Sequence, residues 1–224
     1  MTKYNDRFKD ALWYNTRPDV SIGGAGGIGS NALYCLTKSI PGSYFVMDMD
    51  IVEDYNVGSQ FFNKNQVGMK KVAAIAQTVS VNTDDFEVMI HPFAEFVDAN
   101  SDILPFAISA FDNMTARKNF YEAWLKNPDR KILIDGRLRA TYYQIYTVLP
   151  GREKDYEATL FSDDEVDDGL CTFKQTAYFG MMIGARITNI LVNYLTNIAV
   201  GEEINVVPFM IEESGDLLYF NVKP

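Results

Sequence analysis

A glycine-rich segment between a short apolar run and an amphipathic segment constrains this fold more than any other feature. The β-branched run Val20–Ile22 leads into Gly23–Gly29, which contains the pattern Gly24-x-Gly26-x-x-Gly29. Behind it, apolar residues recur with helical spacing at Ala32, Leu33, Leu36 and Ile40. This order predicts a strand, a tight turn and a helix whose positive end faces a phosphate. The same glycines also fit a turn that only packs the helix against the sheet.

Strands and helices alternate along the chain as far as Ile134. Apolar runs predict strands at 44–47, 87–90, 106–108 and 132–134, and helical spacing predicts helices at 72–79 and 114–125. Such alternation is typical of a Rossmann-like α/β fold, in which a mostly parallel sheet is covered by helices on both faces.

The pattern changes after Gly136. Alternating side chains over 142–148 predict an antiparallel extension of the sheet, followed by a turn at Pro150–Gly151. The polar, acidic stretch 152–169 predicts a loop, part of a crossover at about 150–170, and 176–195 predicts a long helix. Residues 204–209 and 217–222 predict a closing hairpin around Gly215. We therefore expect one domain over 1–224.

Charge and cysteine content exclude several classes of function. The chain has 20 Lys and Arg against 30 Asp and Glu, a formal net charge of −10, which disfavours nucleic acid as a partner. Its two cysteines, Cys35 and Cys171, are too few for a four-ligand zinc site, so no zinc is expected. The N-terminal residues lack an apolar signal core, and we expect no membrane span and a cytoplasmic location.

An acidic residue strengthens the case for a nucleotide. Asp48 ends the second predicted strand, about 20 residues after Gly29, where a carboxylate accepts hydrogen bonds from ribose hydroxyls. Up to this point, a nicotinamide-dependent oxidoreductase and an ATP-using adenylyltransferase fit equally well.

The residues that follow favour the second class. In order, they are Asp48-x-Asp50, Asn56, Gln60, Gly68-x-x-Lys71 and Asp112-Asn113. This series resembles the ThiF/MoeB/HesA superfamily of adenylyltransferases, which activate ubiquitin-like and sulfur-carrier proteins, and the likeness extends from about Val20 to Leu195. The chain resembles the compact prokaryotic or phage-type members.

The resemblance implies a reaction and a set of site residues. The reaction is ATP- and Mg²⁺-dependent adenylation of the C-terminal carboxylate of a ubiquitin-like or sulfur-carrier protein or peptide, performed by a homodimer. It implies that Asp48 holds the ribose, Lys71 the phosphates and Asp112 the metal ion, with Lys71 and Asp112 as catalytic residues. The other implied ATP-binding residues are Gly24, Gly26, Gly27, Gly29, Asp50, Asn56, Gln60 and Asn113. Cations that neutralise the growing charge at the α-phosphate fit the chemistry of such a transfer.

One position departs from the family pattern. Ser59 stands where the family's Asn-x-x-Arg-Gln element has arginine, so one phosphate ligand is missing. Arg7, Arg117, Arg137 and Arg139 are alternative cations that the sequence does not rank. The loss also leaves open a catalytically degenerate scaffold that serves as a binding partner.

Cys171 occupies a position that resembles the acyl-accepting cysteine of several family members. It precedes the long predicted helix, whose positive end favours a thiolate, while the acidic run from Asp163 to Asp168 opposes it. Both a catalytic cysteine and an inert thiol remain consistent with the sequence. Cys35, which lies within a predicted helix among apolar residues, is expected to belong to the core.

Overall fold

A computed structural model of the chain describes residues 8–83, 87–163 and 176–224. Within them, eight strands form one sheet in the spatial order β3-β2-β1-β4-β5-β6-β7-β8. The strands are β1 (Asp19–Gly23), β2 (Gly42–Met47), β3 (Val88–Phe93), β4 (Phe106–Ser109), β5 (Ile132–Arg139), β6 (Tyr142–Val148), β7 (Met210–Ser214) and β8 (Tyr219–Lys223). The α-helices are α1 (Gly29–Ser39), α2 (Lys71–Ser80), α3 (Met114–Leu125), α4 (Glu153–Glu157) and α5 (Ala177–Val200).

The first five strands are parallel, which confirms the predicted Rossmann-like core. In the centre, Val20 of β1 pairs with Tyr44 of β2 on one side and with Phe106 of β4 on the other. The chain therefore proceeds outwards from β1 in one direction and from β4 in the other. The strand order reverses between β1 and β4, and sheets of this type bind ligands in a crevice at the carboxyl ends of two such strands.

The core lies on both faces of this sheet. Along β5, Ile132 and Ile134 belong to a cluster that includes residues of α1, α2 and α5, whereas Leu133 belongs to a second cluster with residues of α3 and α4. Alternate residues of a strand point to opposite faces, so helices cover the sheet on both sides as predicted.

Two glycines let α5 cross α1 at close range. A Cβ on Gly180 would lie 2.9 Å from the carbonyl oxygen of Gly27, and one on Gly184 would lie 2.8 Å from the backbone nitrogen of Ala32. Larger residues at these positions would separate the helices. The long C-terminal helix thus packs directly behind the glycine-rich turn.

The C-terminal half differs from the sequence prediction in three places. The stretch predicted as a loop contains α4, which closes the second cluster with the fully buried Tyr156. Helix α5 continues to Val200 and ends where Gly201 adopts a positive φ of 78°. The closing hairpin consists of β7 and β8. The prediction of a strand over 204–209 is wrong. This segment is instead held by the Asn197 side chain, which donates to the carbonyl of Asn205 and accepts from its N–H.

The antiparallel extension itself is confirmed. Strand β6 pairs antiparallel with β5 and β7, and β7 pairs with β8. No helix in the described part of the chain has the length and apolar character needed to cross a membrane.

Candidate active site

The glycine-rich turn is held between the ends of β2 and β4. The Gly24 N–H donates to the Met47 carbonyl at 2.9 Å. Gly24 has a φ of 89°, and a Cβ there would lie 2.8 Å from the carbonyl oxygen of Ala110. A Cβ on Gly29 would lie 1.9 Å from the Gly24 carbonyl oxygen. Only glycine fits either position, so the turn is fixed against the start of α1.

The start of α1 has no side-chain cap. Its N-cap residue is Ile28, which has no side-chain oxygen to accept from the first backbone N–H groups. Space is also free at Gly26, where an added Cβ would meet no atom within 4 Å. The Gly27 carbonyl accepts from the Asn31 side chain at 2.7 Å, and the Ser30 N–H donates to the Gly26 carbonyl at 2.9 Å. An uncapped helix end next to open backbone suits a phosphate group.

Asp48 connects this turn to the loop that follows β2. Its carboxylate accepts the Ala25 N–H at 2.7 Å and the Asp50 N–H at 2.8 Å. The carboxylate is only half-buried, which leaves part of it accessible to ribose hydroxyls. Asp48, which the sequence resemblance assigns to the ribose, therefore lies next to the glycine-rich turn.

Lys71 is brought to the same place from the first turn of α2. Its ammonium donates to the Asp50 carboxylate at 2.7 Å, and its backbone N–H donates to the Asp50 carbonyl at 2.9 Å. The lysine side chain is 10% exposed, whereas that of Asp50 is 68% exposed. A largely buried lysine side chain is thus paired with an acid that faces solvent. That acid, Asp50, lies two residues after Asp48.

Asp112 and Asn113 lie in the turn after β4, on the other side of the crevice. Ala110 donates its N–H to the Gly23 carbonyl at 2.8 Å, which joins this turn to the glycine-rich one. The Asp112 carboxylate is exposed, and one of its oxygens is 3.2 Å from the Asn113 amide nitrogen, which donates to it. A single exposed carboxylate fits Mg²⁺ that takes its remaining ligands from phosphates and water. Among the described residues, no group of three or more metal-binding side chains occurs.

Asn56 and Gln60 belong to a short 3-10 helix and the loop after it. The Asn56 side-chain oxygen is occupied by the Glu53 N–H at 2.9 Å, and its carbonyl accepts the Gln60 N–H at 2.8 Å. The Gln60 side-chain oxygen is buried and has no partner within the described ranges. The loop is tied to α1 because the Ser30 hydroxyl accepts the Phe61 N–H at 3.0 Å.

Two of the candidate replacement arginines are already engaged. Arg117 is buried, pairs with the fully buried Asp135 and donates to the carbonyls of Gly136 and Phe111. Arg137 donates to the second Asp135 oxygen at 2.8 Å and to Thr159.

This buried network, which the sequence analysis did not anticipate, leaves neither guanidinium free for a phosphate. Arg139 is exposed at the end of β5, and Arg7 lies outside the described residues. Ser59 is half-buried and donates its N–H to Asn56 at 3.2 Å.

Of the two cysteines, only Cys35 lies among the described residues. Cys35 is only half-buried and lines the open cavity between α1 and α5, so its predicted core position is wrong, although partial burial still raises the pKa of its thiol. Cys171, predicted as the acyl acceptor, lies outside the described residues, as does most of the acidic run before it.

Asp163, the first residue of that acidic run, binds the start of α3. Its carboxylate accepts from the Met114 N–H at 2.6 Å, the Thr115 N–H at 3.0 Å and the Thr115 hydroxyl at 2.6 Å. These bonds, led by that of the Thr115 hydroxyl, lower the pKa of Asp163. Asp163 is exposed, as expected for a loop, but an acidic run gives no sequence signal for its contacts with α3.

The fold and the residues at the crevice define an α/β protein with a nucleotide-type glycine turn, an adjacent acid and a buried lysine. The sequence pattern of the ThiF family matches residues 15–215, and the chain belongs to this family. It is similar to ubiquitin-like modifier-activating enzyme 5 of Gallus gallus, with 26% identity over 208 residues, 80% of this chain and 50% of that protein. The enzyme of the same name from Drosophila melanogaster is 39% identical over 74 residues, 33% of this chain and 18% of that protein. The chain therefore spans half or less of these curated relatives.

Solved structures with the same fold include MccB of E. coli and PaaA. The MccB structure with succinimide has a TM-score of 0.73 at 16% identity and covers 100% of this chain and 72% of that one. MccB with ATP has a TM-score of 0.68 at 16% identity, covering 98% and 66%. PaaA has a TM-score of 0.68 at 20% identity, covering 98% and 65%. At these identities, the likeness supports the fold alone.

Proposed function

We propose that this chain is an adenylating enzyme that uses MgATP to activate the C-terminal carboxylate of a peptide or a small carrier protein. The observation that carries the proposal is the largely buried Lys71 side chain paired with Asp50, together with a helix start that has no side-chain cap and the half-buried Asp48 carboxylate bonded to the glycine-rich turn. A dinucleotide-dependent oxidoreductase has no use for a buried lysine at this position. The solved structure of MccB with ATP supports a nucleotide of this kind.

The proposed reaction is an in-line displacement at the α-phosphate. A carboxylate oxygen of the substrate forms a bond to the α-phosphorus while the bond to the bridging oxygen breaks, and pyrophosphate leaves with its electron pair. Lys71 binds the phosphates and offsets the charge that grows during transfer. Bound at Asp112, Mg²⁺ supplies further charge neutralisation. Lys71 and Asp112 would thus allow the substrate carboxylate to approach the negatively charged α-phosphate.

The substrate class is a carboxylate at the end of an extended chain. MccB has been solved with the peptide MccA, whereas the curated relatives are named for ubiquitin-like modifiers. A terminal carboxylate is the feature that the two types of substrate share.

We propose that Cys171 accepts the acyl group after adenylation: its thiolate attacks the acyl carbon and AMP leaves.

We also propose a homodimer. An open cavity of about 390 Å³ lies between α1 and α5, and the exposed side chains Tyr178, Met181 and Met182 extend along α5. Size-exclusion chromatography with light scattering tests this; a stable monomer at micromolar concentration would contradict it.

Pyrophosphate exchange into ATP tests the proposed reaction. Small carrier proteins and peptides are each supplied with a free C-terminal carboxylate and, as the matched control, with a C-terminal amide. We expect exchange that needs Mg²⁺ and occurs only with a free carboxylate. Carrier binding without exchange, unaffected by Asp112→Ala, would indicate a scaffold without catalysis and overturn the proposal.

A further inference from the structure

The turn that carries Asp112 is held from both sides by residues distant in sequence. On one side, Arg117 donates to the carbonyl of Phe111, the residue before Asp112, while its other nitrogen pairs with buried Asp135. On the other side, the Asp163 carboxylate binds the N–H groups of Met114 and Thr115. The backbone on each side of the Asp112–Asn113 pair is therefore fixed by a charged group.

The segment that contributes Asp163 is itself anchored to the same buried acid. Arg137 joins Asp135 to the carbonyl and hydroxyl oxygens of Thr159, at 2.9 Å and 3.0 Å, shortly before Asp163. Its guanidinium also lies 4.4 Å from the centre of the Tyr146 ring. The turn that carries Asp112 is thus connected through Arg117, Asp135 and Arg137 to Thr159. The chain then runs from Thr159 to Asp163, which binds the same turn again.

Asp163 has a larger role at this helix start than an ordinary capping side chain. Asn113 is the N-cap residue and accepts the Ala116 N–H at 2.8 Å. The two N–H groups before it, on Met114 and Thr115, depend on Asp163. Without Asp163, these donors are left to water or to the neighbouring Asp112 carboxylate, and the start of α3 that follows Asp112 loses a stabilising cap.

We propose that Asp163 is a positioning residue: it caps α3 from the segment after α4 and so holds the Asp112–Asn113 turn in the arrangement that binds Mg²⁺ together with ATP. This inference rests on the proposed function and adds to it a residue that contacts neither nucleotide nor substrate. It also ties the segment after α4 to the metal-binding turn, since Asp163 belongs to one and binds the other.

Calorimetric titration of Mg²⁺ at fixed ATP concentration tests the role in the full chain. The variants are Asp163→Ala, which removes all three acceptor contacts, and Asp163→Asn, which keeps one oxygen. Thr115→Val removes only the hydroxyl donor. The matched control is Asp216→Asn, because the exposed Asp216 also accepts a threonine hydroxyl, that of Thr141, at 2.8 Å.

We expect the Mg²⁺ concentration for half-saturation to rise about three- to tenfold in Asp163→Ala, the size of effect that loss of a helix cap produces. Asp163→Asn and Thr115→Val should fall between this and wild type, and Asp216→Asn should match wild type. Nucleotide affinity without Mg²⁺ should not change, which separates positioning of the metal ligand from general loss of stability.

Two results overturn the proposal in distinguishable ways. If wild type shows Mg²⁺-dependent ATP binding and Asp163→Ala gives the same Mg²⁺ titration, Asp163 only stabilises α3. If wild type itself shows no Mg²⁺-dependent ATP binding, the proposed function fails together with this role. Amide hydrogen exchange at Met114 and Thr115 should also accelerate in Asp163→Ala without any nucleotide, and unchanged exchange would contradict the capping itself.

Discussion

The Lys71 ammonium lies 2.7 Å from the Asp50 carboxylate, although the lysine is largely buried and the acid is largely exposed. The exposed acid holds the largely buried lysine side chain in place. In the proposed ATP complex this lysine is ordered before a phosphate binds, so little side-chain entropy is lost on binding.

Removing this charge should impair catalysis far more than it impairs folding. Lys71→Met keeps the length of the side chain but loses a charge-assisted hydrogen bond, for which we expect a fall in kcat/KM of about tenfold to hundredfold. The neighbouring Lys70 is the matched control, since its exposed ammonium donates to the Met49 carbonyl at 2.5 Å. Lys70→Met should stay within about twofold of wild type, as expected for a surface charge. Equal losses in steady-state pyrophosphate exchange would contradict the role of Lys71.

The glycine-rich turn permits a separation of fold from binding. Gly26→Ala adds a methyl group in free space and should leave the unfolding temperature near that of Gly58→Ala, a glycine with equally free surroundings. In the proposed ATP complex the same methyl group would stand where a phosphate approaches the backbone, so ATP affinity should fall about tenfold or more, as for loss of one charge-assisted hydrogen bond.

Gly29→Ala is the opposite case. Its Cβ would lie 1.9 Å from the Gly24 carbonyl oxygen, so the turn must move and thermal stability should fall as well. Undiminished ATP binding by folded Gly26→Ala, measured by calorimetry, would place the phosphates elsewhere.

The cysteines should differ in a thioester assay. Cys171→Ala should retain pyrophosphate exchange and lose the thiol-sensitive substrate adduct seen on non-reducing gels. Cys35→Ala should retain both, because burial raises the pKa of the Cys35 thiol and keeps its thiolate scarce at neutral pH. An adduct that persists in Cys171→Ala would rule out Cys171 as the acyl acceptor.

Acid should weaken the C-terminal hairpin through Glu212. Hydrogen bonds from Asn221 first, and also from Tyr142 and Tyr219, lower the pKa of Glu212 in the folded state. Its ionised form therefore contributes stability above the unfolded-state pKa of about 4.3, and this contribution is lost as pH falls through the lower folded-state value.

Urea unfolding at several pH values measures this effect. The difference between wild type and Glu212→Gln should be present at pH 7 and shrink towards pH 3. Glu202→Gln, which removes an exposed carboxylate after α5, is the control. A difference that does not depend on pH would contradict the assigned cause.

Much of the parallel half of the fold could be predicted because several apolar runs end at a glycine or an acidic residue, as at Gly23, Asp48 and Asp135. The C-terminal half was less predictable. Helix α4 is short and polar in sequence, and its one deeply buried side chain, Tyr156, becomes apparent only when β6 packs beside it. The strand predicted over 204–209 shows that apolar content does not compensate for a missing pairing partner.

The candidate site shows the same division. Gly24, Asp48 and Lys71 follow local rules of strand, turn and helix, and the structure brings them together. The contacts of Asp163 and of the Arg117–Asp135–Arg137 network join residues distant along the chain. The spacing of apolar residues along the chain does not indicate which distant polar residues pair, so a single sequence does not reveal these contacts.

The central claim is that this chain binds ATP with Mg²⁺ at the glycine-rich turn, and titration of the purified protein by calorimetry tests it most directly. We expect one ATP to bind per chain, with an affinity that rises when Mg²⁺ is added and is unaffected by excess NAD⁺. Saturable binding of NAD⁺ or NADH together with indifference to ATP would contradict it.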